Sequence, residues 1–266
     1  NKYKTIILTP WGCDIYAKKS NLLKRIFLKF IFKKCDYIIC DSYKLIEAST
    51  ELGANKRNSK VIAFGTDTNE YKKKKIIFSP KGKDKYIKIG TNRCMEPIYD
   101  PFTLIKAANY LNKKNKFLKF IIANSGSLED SLKKYVSKNN LKKTIKFIGP
   151  QYGKKNIEFY NSIDIYVSTS LRDGGLSASI AEAMSCERLV IVSNNSENSN
   201  YIDHGFTGFL FKNKDFLTLA NLIEESLNNI KQSQLIAKKG REVILKKCNY
   251  NLEMDKVNVI YKNLLN

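Results

Sequence analysis

The residues best suited to chemistry fall in one stretch, "SLRDGGLSASIAEAMSCE", at 170–187. Two carboxylates, Asp173 and Glu182, bracket a run of small residues that includes Gly174, Gly175, Ser177, Ala178 and Ser179. The apolar run "DIYVSTS" predicts a strand ending near Ser170, and a helix through Ala181 and Met184 follows it. A strand-to-helix turn of small residues leaves the first N–H groups of the helix open to an anion. No G-K-[ST] appears, so this is not a P-loop. Carboxylates beside such an anion suit sugar hydroxyls better than phosphate. A tight turn carrying a surface glutamate fits the same letters, and spacing alone leaves both readings open.

Two further segments point to the same kind of ligand. "KIGTNRCMEP" sets Arg93 just after a strand and Gly90. An arginine at a strand's carboxyl end can offer two N–H donors to a diphosphate. "PWGCD" at 10–14 follows the first strand, where Gly12 permits close backbone approach and Asp14 supplies a carboxylate. A solvated arginine and an ordinary turn are the bland alternatives. Other chemistries find no support. The six cysteines form no C-x-x-C pair, and the single histidine, His204, sits in the turn-like "DHGFTG", a poor platform for a general base. A thiolate–imidazole metal site is therefore not expected. Unpaired cysteines in a chain of this size imply a reducing, cytoplasmic setting.

The elements that must position these residues alternate as in α/β proteins. Strands are expected at "TIILTP", "DYIICDS" and "KVIAFG", with helices over Lys18–Lys34 and "KLIEASTELG", the latter stopped by Gly53. The charged "KKKKIIFSPKGKDK", broken by Pro80 and Gly82, reads as a linker. Beyond it the alternation restarts at "YIKIGTN" and runs to "GFLF", followed by three helical segments, the first with Asp215 as its expected N-cap. The expected organisation is a partial N-terminal Rossmann-like domain with hinge at 1–82 and a C-terminal Rossmann-like domain at 83–250. A final helix at 251–266 would pack back on the first domain. Parallel sheets bind ligands beyond the carboxyl ends of their strands, which places the site in the cleft between domains.

A net charge of +22, from 47 basic and 25 acidic residues, favours phosphate-bearing partners. The lysines are spread among many Asn and Ile residues, however, so compositional bias accounts for most of the charge. Nucleic acid is not expected as a partner, because the aromatics fall at core-like positions rather than among clustered cations. No run approaches the roughly 18 apolar residues of a membrane span. The Lys18–Lys34 helix has Leu23, Phe27, Phe30 and Ile31 on one side and Lys18, Arg25, Lys29 and Lys33 on the other. It reads as an internal helix with solvated lysines. Docking on an anionic membrane surface, at the cytoplasmic face, is the alternative. A first residue of Asn rather than Met suggests a piece of a longer product.

The ordered set of motifs resembles the retaining glycosyltransferases of family 4, which have the GT-B fold of two facing Rossmann-like domains. "LTPWGCDIY" is similar to the family's "HGxD" segment, with Trp11 where His is common. "CDYIICDSYKLIEASTELGA" and "VIAFGTDTNEY" resemble the strand, helix and hinge that follow. "SGSLEDSL" looks like a glycine-containing loop with Asn124 replacing its first Gly, while "IAEAMSCERLVIVSNNSEN" and "DHGFTGFLF" continue the order to the end.

The resemblance implies a retained-configuration transfer of a hexose-type sugar. The donor would be a nucleoside diphosphate-sugar and the acceptor a glycan or lipid-linked molecule, in cell-surface polysaccharide or glycolipid synthesis, with neither metal nor cofactor. In the family a Glu-x7-Glu motif serves the donor. Glu182 matches its second, ribose-binding Glu. The first, which holds the sugar hydroxyls, falls on Gly174, with Asp173 one residue earlier as the substitute. Arg93 matches the diphosphate arginine, and the lysine expected about five residues later is replaced at Ile98–Tyr99, with Lys106 a distant candidate. Cys186-Glu187 stands where Cys-Gly is usual. The implied catalytic set is Arg93, Asp173, Glu182 and Asp14. The donor-binding set adds Gly12, Gly90 and the backbone of Gly174, Gly175, Leu176, Ser177 and Ala178. Competing readings are an inactive or epimerase-type relative of the same fold and a basic membrane- or nucleic-acid-binding protein.

Overall fold

Short runs of two to five residues, mostly apolar, pair most readily in parallel when layers of helix cover both faces. In a computed structural model that describes residues 5–12, 15, 22–78, 86–114, 117–195 and 197–265, these runs build two parallel sheets. The smaller contains β1 (Ile7–Leu8), β2 (Tyr37–Cys40) and β3 (Ser59–Val61), in that order. The larger contains β4 (Ile87–Thr91), β5 (Leu118–Ile122), β6 (Ile145–Phe147), β7 (Ile165–Ser168), β8 (Leu189–Ser193) and β9 (Phe209–Phe211). Its spatial order is β6-β5-β4-β7-β8-β9, which is the doubly wound 3-2-1-4-5-6 order counted within its own domain. β4 and β7 lie side by side, Ile89 opposite Ile165, yet β4 is followed by β5 on one flank and β7 by β8 on the other. That reversal opens a crevice at their carboxyl ends.

The helices are α1 (Leu22–Lys34), α2 (Tyr43–Glu51), α3 (Pro101–Asn112), α4 (Glu129–Lys138), α5 (Lys154–Ser162), α6 (Ala178–Ser185), α7 (Phe216–Asn228), α8 (Ile230–Lys247) and α9 (Tyr250–Leu265). Local chemistry explains several ends. Ser42 caps α2 by accepting the Leu45 N–H at 3.1 Å, and Asp215 caps α7 by accepting the Thr218 N–H at 3.0 Å. Gly53 follows α2 with φ +100°, a left-handed conformation in which a side chain is strained.

One expectation needs correction. Helix α1 does not turn its larger apolar face inward: Leu23 and Phe27 are 77% and 62% exposed, and Phe30 is exposed too. The face that packs on the small core carries Phe32 and Leu28, so the aromatic stripe is left facing out. Ile77 and Phe78, ahead of the linker, are buried in the larger core with Ile89 and Leu104. Residues 79–85, with Pro80 and Gly82, lie outside the described residues.

The domains are tied by two crossing segments. The Thr66 N–H donates to Cys248 O at 2.7 Å, and the Tyr250 N–H returns to Thr66 O at 3.1 Å. Beyond that crossing α9 lies against the small sheet, with Ile260 buried beside Ile39 and Ile62. Arg188 is 1% exposed and donates to the carbonyls of Cys186, Ile163 and Lys75 at 2.8, 2.9 and 2.6 Å, pinning the segment around Lys75 to the larger domain. Glu187 adopts φ +53°, the left-handed conformation that the usual Gly would take without strain, and its carboxylate meets Lys73 Nζ at 2.5 Å.

Candidate active site

The crevice between β4 and β7 gathers most of the residues singled out in the sequence. Arg93 leaves the carboxyl end of β4, and its guanidinium pairs with the Asp173 carboxylate. Its Nε donates to Ser170 Oγ at 3.1 Å and its Nη1 to Ser179 Oγ at 3.3 Å. Tyr99 lies under the guanidinium, 4.2 Å from carbon to ring centroid, a cation–π contact in the region where the family's lysine was expected. Lys106 is exposed on α3 and takes no part. At least three of the five arginine N–H donors are therefore spent on the protein. Burial pushes the Asp173 carboxyl up, and the adjacent Arg93 charge and hydrogen bonds only partly offset it.

Helix α6 starts beside this pair. Ser177 is its N-cap residue but makes no side-chain cap, and its hydroxyl instead lies 3.2 Å from Ser179 Oγ. The N-terminus of α6, with Ala178 exposed and Leu176 half-buried, is thus open in a way that suits an anion. Glu182 sits a turn further on. Tyr160 O–H donates to its Oε2 at 2.7 Å and Asn156 Nδ2 to the same atom at 3.2 Å. Burial raises the Glu182 carboxyl, against the lowering effect of hydrogen bonds from Tyr160, Asn156 and Tyr71. Beneath it, Asn92 Nδ2 donates to Tyr160 Oη at 2.8 Å, and Tyr166 O–H donates to Asn92 Oδ1 at 2.8 Å. This polar network braces the floor of the crevice. Its members come from the residue after β4, from α5 and from β7 and carry no motif, so the sequence held no local signal for them.

The glycines divide into two kinds. A Cβ on Gly90 would lie 2.7 and 2.9 Å from Ile163 side-chain carbons and 2.9 Å from Phe159, so close packing of β4 against the α5 layer accounts for that glycine. Gly174 and Gly175 face the other domain. A Cβ on Gly175 would lie 2.6 Å from Asp41 O and 2.7 Å from its carboxylate carbon, and one on Gly174 would lie 3.0 Å from Trp11 O. The small residues therefore admit the loops of the opposite sheet, not an open space for ligand alone as their composition had implied. Gly12, buried with φ +105°, sits in the loop after β1, where Trp11 stacks on Phe64 at 4.1 Å between centroids. Asp14 lies outside the described residues. His204 accepts the Leu210 N–H at 3.1 Å, a fold-building role.

Asp41, at the carboxyl end of β2, was not singled out in the sequence. Its one signal is place: a carboxylate at the end of a parallel strand that faces the cleft. Its carboxyl is pushed up to about 6, chiefly by burial and further by Glu197 and Asp173, against hydrogen bonds from the N–H groups of Asp41 and Gly175. An unfolded Asp titrates near about 3.9, so the folded chain holds this proton more tightly and loses stability as pH rises from about 4 to about 6. Asp41→Asn is expected to raise the melting temperature at about pH 7.5 and to lose that gain near pH 4. Thermal denaturation at both pH values checks it, and an equal effect at each would contradict the assignment.

Two facing parallel α/β sheets, with the site at the switch point of the larger, define the GT-B architecture. A model of the glycosyl transferases group 1 family matches residues 72–243, and the chain belongs to that family. It is 25% identical over 244 residues to an uncharacterised glycosyltransferase of Methanocaldococcus jannaschii, covering 90% of this chain and 61% of the relative. Over 172 residues it is 28% identical to the Escherichia coli UDP-Gal:alpha-D-GlcNAc-diphosphoundecaprenol alpha-1,3-galactosyltransferase, covering 64% of this chain and 43% of that one. The chain thus spans about half the length of these relatives. In fold it is similar to Anabaena HepE, solved with UDP and glucose, at a TM-score of 0.84, 18% identity, and coverage of 97% of this chain and 72% of that chain.

Proposed function

We propose that the cleft transfers a hexose-type sugar from a nucleoside diphosphate-sugar to a glycan or lipid-linked acceptor, with retention of anomeric configuration and without a metal. One observation carries the reading: Arg93, the open N-terminus of α6 and Glu182 converge at the switch point of the larger sheet. Arg93 and the α6 amides stabilise charge on the departing diphosphate, the task a metal performs elsewhere. Glu182 accepts the ribose hydroxyls. The bond from the anomeric carbon to the phosphate oxygen breaks as the acceptor oxygen bonds on the same face. The acceptor's proton passes to the leaving phosphate, so no side-chain base is needed. The E. coli relative acts on a UDP-sugar and a diphosphoundecaprenol acceptor, as its name states, which supports a donor and acceptor of these classes.

The experiment is a transfer assay with UDP-, GDP-, ADP- and TDP-sugars, read by NMR of the product's anomeric proton, with and without EDTA. An α-linked product formed equally well in EDTA is expected from an α-linked donor. Inversion to β, or loss of activity in EDTA, would overturn the mechanism.

A second reading concerns where the acceptor is met. Exposed Leu22, Leu23, Ile26, Phe27 and Phe30 share the outward side of α1, which also carries Lys24, Arg25, Lys29, Lys33 and Lys34 and no acidic residue. Such a helix suits the surface of an anionic bilayer. Among the described residues no helix is long and apolar enough to cross one. Sedimentation with phosphatidylglycerol vesicles, but not with phosphatidylcholine vesicles, is expected. The paired changes Leu23→Glu and Phe27→Glu should abolish it. Equal sedimentation of the paired variant would contradict docking through this face.

A further inference from the structure

We propose that Asp41, carried by the smaller domain, is the carboxylate that accepts hydroxyls of the transferred sugar. The inference rests on the donor-site reading above and adds to it a sugar ligand from the opposite sheet. Position is the first argument. The Asp41 oxygens lie 3.7 and 3.8 Å from the point where a Cβ on Gly174 would stand. An acidic side chain at 174 would place its own carboxylate roughly 2.5–4 Å beyond that Cβ, by ordinary bond lengths. Asp41 therefore occupies, from across the cleft, the space that a carboxylate at position 174 would reach from within the turn.

Unspent bonding capacity is the second argument. Asp41 Oδ1 is buried and has no hydrogen-bond partner among the described residues, while the carboxylate receives the N–H groups of Asp41 itself and of Gly175. A buried carboxylate oxygen without a donor is costly, and a ligand hydroxyl in the cleft would supply one. Nearby Glu197 and Asp173 add negative potential at this corner, which repels phosphate and favours hydroxyl donors. Asp173 itself is paired with Arg93. The cleft is thus polarised, with a cationic end at Arg93 and α6 for the diphosphate and an acidic end at Asp41 for the sugar. Gly175 is needed for this arrangement, since its Cβ would lie 2.7 Å from Asp41 Oδ2.

The test separates sugar from nucleotide. Calorimetric titration of wild type, Asp41→Asn and Asp41→Ala uses UDP, GDP, ADP and TDP and the glucose ester of each, with UDP-galactose and UDP-GlcNAc added. Asp41→Asn keeps the side chain's size, so it remains informative should Asp41→Ala fold poorly. Both variants are expected to bind the preferred nucleoside diphosphate as wild type does, within about twofold. Each should bind the preferred sugar ester at least about tenfold more weakly, the scale of one lost charge-assisted hydrogen bond. Equal loss for diphosphate and ester, or no loss for either, would overturn the role. A wild type that binds no diphosphate removes the donor site itself, which is a different result from intact diphosphate binding with an unchanged ester affinity.

Discussion

Replacing Arg93 with Met is expected to lower kcat/KM for transfer by two to three orders of magnitude, the scale seen when one preorganised donor to a developing anion is removed. Stability should fall as well, by about 3–5 kcal/mol, because a buried carboxylate loses its partner. The side chains of Arg93 and Asp173 are only 15% and 9% exposed, so water cannot readily take the arginine's place. Arg93→Lys should not rescue activity, since an ammonium cannot reach Asp173, Ser170 and Ser179 together while also presenting donors to a phosphate. The double change Arg93→Met with Asp173→Asn separates the two effects. It removes the uncompensated charge, so stability should return while activity stays low. Recovered activity in that double variant would show that Arg93 serves only the fold.

Glu182→Ala is the second large effect. Glu182 is the acceptor that unites Tyr160, Asn156 and Tyr71, and through Asn92 this group joins the carboxyl end of β4. A charge-assisted hydrogen bond to a ribose hydroxyl is worth roughly 1.5–3 kcal/mol net, so losing one should lower donor affinity by about ten- to a hundredfold. Tyr160, fully buried, would keep its hydroxyl in the core with an acceptor removed, and a stability loss of about 1–3 kcal/mol is expected. Glu182→Gln retains an oxygen for Tyr160 and should recover stability more than it recovers donor affinity. A melting curve beside a binding isotherm for each variant distinguishes these outcomes.

Much of this arrangement is written in short-range signals. "LVIVS" is buried at every position, as a run centred on β-branched residues in a parallel sheet should be, and Asp215 caps the helix it precedes. Arg93 and Glu182 could be picked out because strand ends and helix starts are local features. Long-range facts were not legible. Periodicity identified the aromatic stripe of α1 but could not say that the Leu28 and Phe32 side would take the core contact. The meaning of Gly175 lies in Asp41, far away in sequence and on the opposite sheet. Gly90 likewise answers to Ile163 and Phe159 in a neighbouring layer. Tyr99 under Arg93 is a tertiary substitution with no motif of its own. In each case the decisive neighbour comes from another element, and single-sequence patterning carries no register between elements.

The central claim is that the switch-point crevice binds a nucleoside diphosphate-sugar through Arg93, the start of α6 and Glu182. Isothermal titration of the wild-type chain and of Glu182→Ala against UDP-, GDP-, ADP- and TDP-glucose tests it most directly. Saturable binding of one nucleotide class to the wild type, weakened by about ten- to a hundredfold in Glu182→Ala, is the predicted result. No binding by the wild type, or equal affinity in the variant, would contradict the account.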